Sequence, residues 1–273
     1  MKIFDCFMYF DEDLLLELRL NILNKYIDKF IIIEAGEDHQ GNKRALKFDI
    51  RKFIKFKNKI KYISLDKIPI DQNIKIKKNW HDGHLRDQSM RNSIGNNLRE
   101  AEPNDWVIIS DLDEIPNPKK IINFKPNFKY AFFEQKFLSF KFNILNKSES
   151  NWYGSRICVK KFLKSPQWLR NIKIKKRNIF KRYLFNMNYK IIAEGGWHFS
   201  NIKSPEKIIE KTNAFCHGEL NQEKFKKKDL IKNKIDQLKD IYDRDIKYEK
   251  IEIDNSYPEY FIKNLNHYRE WII

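Results

Sequence analysis

The stretch Trp106-Val107-Ile108-Ile109-Ser110-Asp111-Leu112-Asp113-Glu114-Ile115-Pro116 runs an apolar segment directly into Asp-x-Asp-Glu and a proline. Two carboxylates spaced i, i+2 on a turn can both reach one hard cation, and a divalent ion there can neutralise a diphosphate that is also its ligand. That is the chemistry a sugar-nucleotide enzyme needs. The tripeptide alone is a weak signal, because acidic turns after strands are common. Its position strengthens it, since ligands of open α/β sheets lie beyond the carboxyl ends of the strands.

A second feature is Gly195-Gly196-Trp197-His198-Phe199-Ser200. The double glycine permits close backbone approach, and His198 is either a further metal ligand or a core histidine packed beside a tryptophan. Arg86, Arg91 and Asn92 fall on one expected helix ahead of the acidic strand. Arginine suits bidentate phosphate binding, while a solvated helix face is the plainer reading.

These residues need a scaffold, and the pattern supplies one. Residues 2–9 read as a strand. Asp11 to Tyr26 follows with Leu14, Leu15, Leu18, Ile22 and Leu23 at helical spacing, and Lys29 to Glu34 is a short apolar run of the kind a doubly covered parallel strand carries. Expected next are a helix at Phe48–Lys57, a strand at Lys59–Leu65, a helix from His81 to Ala101 and a strand at Asp105–Ser110. This is the alternation of an α/β sheet. After Asp111 the pattern changes to α+β. Phe128 to Asn143 suggests long strands on an edge or in an antiparallel flap, and helices are expected at Pro205–Phe215, Gln222–Tyr242 and shortly after Pro258.

The 273 residues are 41% hydrophobic, enough for one sizeable core. The net charge of +17 comes mostly from lysine: 42 of the 54 basic residues are Lys, in a chain also crowded with Ile and Asn. These three types share A/T-rich codons, so the charge by itself says little about nucleic acid. No apolar run approaches the roughly 20 residues of a membrane span, and the N-terminus lacks the layout of a signal peptide. Cys6, Cys158 and Cys216 are odd in number and far apart, which argues against a disulfide framework or zinc knuckle and for a reducing cytoplasm. One basic segment is concentrated: Lys160 to Arg182 holds ten Lys or Arg and no acid.

The chain resembles family 17 glycosyltransferases, the group that includes the bisecting N-acetylglucosaminyltransferase acting on β-linked mannose of N-glycans. The similarity runs from Phe4-Asp5-Cys6-Phe7 through Glu12, Leu15 to Leu20, Asp28-Lys29-Phe30, Ile33-Glu34, Gly41, Arg44 and Leu46-Lys47-Phe48 to Asp111 through Pro116. It resumes at Gly196-Trp197-His198, Ser200, Pro205-Glu206, Ile208 and Lys211, and again at Pro258, Tyr260 and Lys263-Asn264. The resemblance implies a single GT-A type domain over 1–273, with a Rossmann-like mixed sheet flanked by helices and an α+β C-terminal half. Residues 1–116 would form the nucleotide-sugar half and 117–273 the acceptor side. It further implies inversion at the anomeric carbon, a divalent metal (Mn²⁺ or Mg²⁺), and a donor that is a uridine diphosphate sugar, with N-acetylglucosamine as the sugar.

Carried onto this sequence, Asp113 is the first choice as metal ligand, Asp111 joins the metal or the donor ribose, and His198 becomes the additional ligand. Glu34, Arg44, Arg91 and Asn92 match the nucleotide side. Direct displacement needs a carboxylate to take the acceptor's proton; Glu219 ranks first, with Glu114 and Glu194 behind it, Glu194 lying outside the family pattern. Animal members carry a membrane anchor and stem that this chain lacks, so a cytoplasmic microbial or viral enzyme with a lipid-linked or surface-polysaccharide acceptor is expected. Lys160–Arg182 is then either a dock for an anionic inner-membrane surface or a solvated face. A basic nucleic-acid-binding module using Lys55–Lys61 and Lys160–Arg182, and a metal-dependent nucleotidyltransferase, are the competing readings; the first leaves the acidic motif unexplained. Oligomeric state is not legible.

Overall fold

In a buried parallel strand, successive side chains face opposite helix layers, and the central strands here sort their residues accordingly. In the computed structural model, which describes residues 1–74, 82–122, 124, 128–174, 189–216 and 218–273, Phe7, Phe30, Ile32, Trp106 and Ile108 join one apolar cluster. Their neighbours Phe4, Cys6, Ile31, Ile33, Val107 and Ile109 join another. Helix α1 (Asp13–Leu23) covers the first face with Leu15, Leu16, Leu18, Leu20 and Leu23, and α2 (Asp82–Asn96) covers the second with Met90 and Ile94.

The elements run β1 (Ile3–Met8), α1, β2 (Lys29–Ala35), β3 (Ile60–Leu65), α2, β4 (Trp106–Ile109), β5 (Glu114–Pro116), α3 (Pro118–Ile121), β6 (Tyr130–Ser139), β7 (Ile144–Asn146), β8 (Asn151–Trp152), β9 (Arg156–Val159), α4 (Pro166–Asn171), β10 (Tyr189–Ser200), α5 (Pro205–Ala214), α6 (Lys228–Asp236), β11 (Tyr248–Lys250) and α7 (Glu259–Lys263). The strands form one mixed sheet in the order β11-β7-β6-β9-β4-β1-β2-β3. Strands β3, β2, β1 and β4 are mutually parallel, and β9 is antiparallel to β4 and β6. The regular α/β first half and the less regular second half are both as the residue pattern implies.

Four expectations need correction. Helices α1 and α2 are shorter than the spans Asp11–Tyr26 and His81–Ala101. Phe48–Lys57 is a 3-10 helix, Ile50–Phe56, started by the Asp49 carboxylate accepting from Arg51 N–H. Gln222–Tyr242 breaks into a 3-10 turn at Glu223–Phe225 and the nine-residue α6. Only Ile231 and Ile235 of α6 are buried, and Leu238 adopts a left-handed φ of 56° that ends it. Finally, Phe128–Asn143 contains not an edge but the interior strand β6, bonded to β9, β8 and β7 along one side and to β10 along the other. Of the basic run, Lys160–Phe162 is a 3-10 turn followed by α4, and residues 175–182 lie outside the described residues.

The twelve-residue β10, which pattern reading misses, is bulged between Ile192 and Gly196. Gly196 has φ of 142°, and a Cβ there would lie 2.2 Å from the Ile115 carbonyl oxygen. Glycine therefore lets β10, which stays paired with β6 on both sides of the bulge, approach the short β5 as well, setting His198 opposite Glu114.

Candidate active site

The acidic motif occupies the loop between β4 and β5, beyond the carboxyl end of β4. Its shape is imposed from beneath by a residue the motif search did not single out for a role. Arg19 of α1 is fully buried; it holds Asp5 with Nε and Nη2 at 2.8 and 2.5 Å, and donates Nη1 to the carbonyls of Asp111, Leu112 and Glu114 at 3.1, 3.1 and 2.8 Å. With its backbone oxygens tied down, the loop turns its carboxylates the other way.

Those carboxylates have distinct surroundings. Asp111 accepts from Arg91 Nη2 at 3.0 Å and from Arg170 Nη2 at 2.9 Å, and 38% of its side chain stays exposed. Burial alone would raise its pKa, but Arg170 and Arg91 hold it well below the ordinary carboxylate range. Glu114 is fully buried. Its carboxylate takes Trp152 Nε1 and Arg170 Nη2 on one oxygen (2.7 and 3.1 Å), and the Asp111 amide and Arg170 Nη1 on the other (2.8 and 2.7 Å). A carboxylate so saturated is placed to orient Arg170 rather than to receive an acceptor's proton. Gly154 makes room for it: a Cβ there would sit 2.0 Å from Glu114 Oε1.

Asp113 faces another direction. Its Oδ1 lies 3.6 Å from His198 Nε2 and its Oδ2 3.9 Å from Lys211 Nζ on α5. Burial pushes this carboxyl up in pKa, yet His198 and Lys211 bring the balance below normal. The His198 ring packs against Phe137, stacked at 4.4 Å, and against Trp152 at 4.9 Å, in a three-ring cluster in which Phe137 and Trp152 also meet at 5.3 Å, and its Nδ1 is buried without a hydrogen-bond partner. The two readings of His198 thus merge: it is packed against aromatic rings and also aimed at Asp113. An imidazole nitrogen and a carboxylate oxygen facing one space form a donor set that Mn²⁺ or Mg²⁺ accepts, so the residues fit a divalent ion. Among the described residues no cluster of three or more His, Cys, Asp and Glu converges.

The other expected residues lie around this centre. Arg91 is bound to Asp87, Gln167 and Asp111, which locks α2 to α4 and to the acidic loop. Asn92 bonds Asp71 and the Gln167 amide at 2.9 Å each. Glu34 and Arg44 pair with one another at 2.9 Å at the end of β2; Glu34 also accepts from Tyr62 and the amides of Lys47 and Phe48, and Arg44 donates to the Phe10 carbonyl. They shape the loop after β1 and do not touch the Asp111–Asp113 cluster. Glu219 is exposed on the 3-10 turn Gly218–Leu220 that follows α5. Glu194 is exposed and paired with Lys120 at 2.7 Å. His217 lies outside the described residues.

Arg170 was legible only as one member of a basic run. That it is an arginine among lysines is the signal that marks it, since only a planar fork can serve two carboxylates at once.

A mixed sheet with an acidic turn beyond a parallel strand, backed by arginines, is consistent with an α/β glycosyltransferase. The profile of glycosyltransferase family 17 matches residues 1–253 of the 273, and the chain belongs to that family. No individually curated protein matches the chain at a significant level.

Proposed function

We propose that the protein is a metal-dependent, inverting glycosyltransferase of the GT-A type, moving N-acetylglucosamine from a uridine diphosphate donor to a saccharide acceptor. The observation that carries this reading is the 3.6 Å approach of His198 Nε2 to Asp113 Oδ1 beside the arginine-held Asp111, beyond the ends of the parallel strands. Asp113 and His198 would hold the divalent ion, which when bound offsets the charge of the departing diphosphate.

The chain's own residues do the rest. Arg170 and Arg91 keep Asp111 ionised and fixed, so that one oxygen edge remains for a donor hydroxyl or the ion's coordination shell. Lys211 adds positive charge next to Asp113 where a diphosphate would lie. Glu114 maintains the Arg170 fork. Glu219, exposed at the end of α5, is the base we assign to the acceptor hydroxyl. Location at the cytoplasmic face belongs to the same proposal; no helix among the described residues is long and apolar enough to cross a membrane.

A thermal-shift panel of nucleotide sugars with and without Mn²⁺ tests the reading, because a ligand that binds only the native state raises apparent stability. Stabilisation by one uridine diphosphate sugar, dependent on metal, is expected. Stabilisation by a nucleoside triphosphate alone with release of diphosphate would favour a nucleotidyltransferase. A salt-sensitive shift with single-stranded RNA and none with any sugar nucleotide would overturn the enzyme reading.

A further inference from the structure

The described part of the basic run folds into a concave surface away from the acidic centre. Lys129, Tyr130, Lys161, Phe162, Lys164 and Trp168 line most of a cavity of about 550 Å³ that contains no acidic residue. The aromatic side chains are half-buried. The ammonium groups of Lys129 and Lys161 stand 5.5 and 5.4 Å from the Phe162 ring centre, and that of Lys164 stands 5.6 Å from Trp168. Cations are therefore held at the rims of apolar ring faces.

A second cavity, of about 410 Å³, adjoins it through Leu163 and Lys164 and is lined by hydroxyl and carboxamide groups, among them Ser89, Asn92, Asn96 and Ser165. Its one carboxylate, Asp71, is already bonded to Asn92 and Asn73. The pair of cavities runs along α4. Two residues after Trp168 on that helix, Arg170 grips Asp111 and Glu114.

We propose that this double groove binds an anionic saccharide chain, the distal part of the acceptor, with sugar rings against Trp168 and Phe162 and their acidic groups on Lys129, Lys161 and Lys164. The proposal deepens the glycosyltransferase reading and rests on it for the word acceptor. A bilayer fits less well: it meets convex, outward-pointing charge, whereas these ammonium groups line a recess whose continuation offers hydroxyl-binding partners. Aromatic faces flanked by polar groups suit sugar rings, which are apolar on one face and polar at the edge.

The experiment titrates the full-length protein calorimetrically with a galacturonic acid octamer and with a neutral dextran octamer, and floats it on phosphatidylglycerol vesicles. Binding of the uronate but not of dextran is expected, weakened about tenfold or more in the exposed-surface variant Lys161→Gln/Lys164→Gln and lost in Trp168→Ala. The lysine variant carries the test should Trp168→Ala fail to fold. Absence of uronate binding, or equal binding by the lysine variant, overturns the proposal. Vesicle recovery that falls in the lysine variant, with no response to uronate, assigns the groove to a membrane and overturns it likewise. The donor thermal shift on the same preparations separates the two readings. Donor stabilisation without a uronate response sinks the groove alone. Variant-sensitive uronate binding without donor stabilisation sinks the enzyme reading and leaves the groove.

Discussion

Arg19 and Asp5 form a fully buried ion pair, 2.5 Å from Nη2 to Oδ1, and the same guanidinium fixes three carbonyls of the loop that bears Asp111 and Asp113. The pair couples the first helix to the site without reaching solvent. Removing one partner leaves a buried charge unpaired, which costs about 3–5 kcal/mol. Arg19→Met is therefore expected to lower stability by about that much in urea unfolding, and Asp5→Leu added to it to recover part of the loss. Equal stability of Arg19→Met and the parent would show that the pair does not organise the loop.

Asp113→Asn keeps the shape of the side chain and removes its charge. It is expected to abolish metal-dependent transfer while the protein still folds and unfolds cooperatively. Full metal-dependent turnover by this variant would refute the site assignment.

Arg170 bonds both Asp111 and Glu114 through its two terminal nitrogens. A lysine supplies one compact ammonium and no fork. Arg170→Lys should release Asp111 and weaken donor binding by about tenfold or more, the equivalent of one charge-assisted contact. Donor titration followed by the thermal shift reads this directly; unchanged affinity would assign Arg170 to packing alone.

Stability should also carry a mark of Glu12. Burial works to raise its carboxyl, but Lys203 at 3.0 Å, Lys211 and the backbone amides hold it down to about 2, against 4.5 unperturbed. A group depressed in the folded state stabilises above its unfolded pKa and loses that contribution as pH falls through the folded value. Glu12→Gln is accordingly expected to be less stable than the parent at neutral pH by no more than about 3 kcal/mol, with the difference shrinking from about pH 4.5 down to about pH 2. A difference independent of pH over that range would rule out the ion pair as its source.

The first half of the fold was readable because β2 and β4 are short continuous apolar runs, buried on both faces, set among segments of helical spacing. Asp111 and Asp113 were readable for the same reason, since a strand end announces where a ligand lies. The partners of those acids were not. Arg170 is 59 residues from Asp111 along the chain, and being an arginine among lysines marks it without naming its partner. Arg19 sits on the apolar face of α1, where helical periodicity calls for a hydrophobic residue; its presence there was a visible anomaly with no visible partner. The long helix expected after Gln222 failed because lysine-rich sequence has good helical propensity, while only two isoleucines anchor it to the body of the protein. Strand β10 escaped notice because its two glycines, which its pairing requires, read as loop residues.

The pairing of β10 with β6 and β5 has a consequence for how the chain is made. The loop bearing Asp113 is secured by Arg19 and β4, both present once the first 120 or so residues exist. His198 arrives only when β10 docks against β6, about 70–80 residues further on, and such distant pairings form late. On the ribosome the turn that bears the carboxylates is thus secured from beneath before its imidazole arrives. A nascent chain stalled before residue 189 would present the carboxylates without their histidine, and under the proposed metal assignment its affinity for Mn²⁺ would report the last stage of folding.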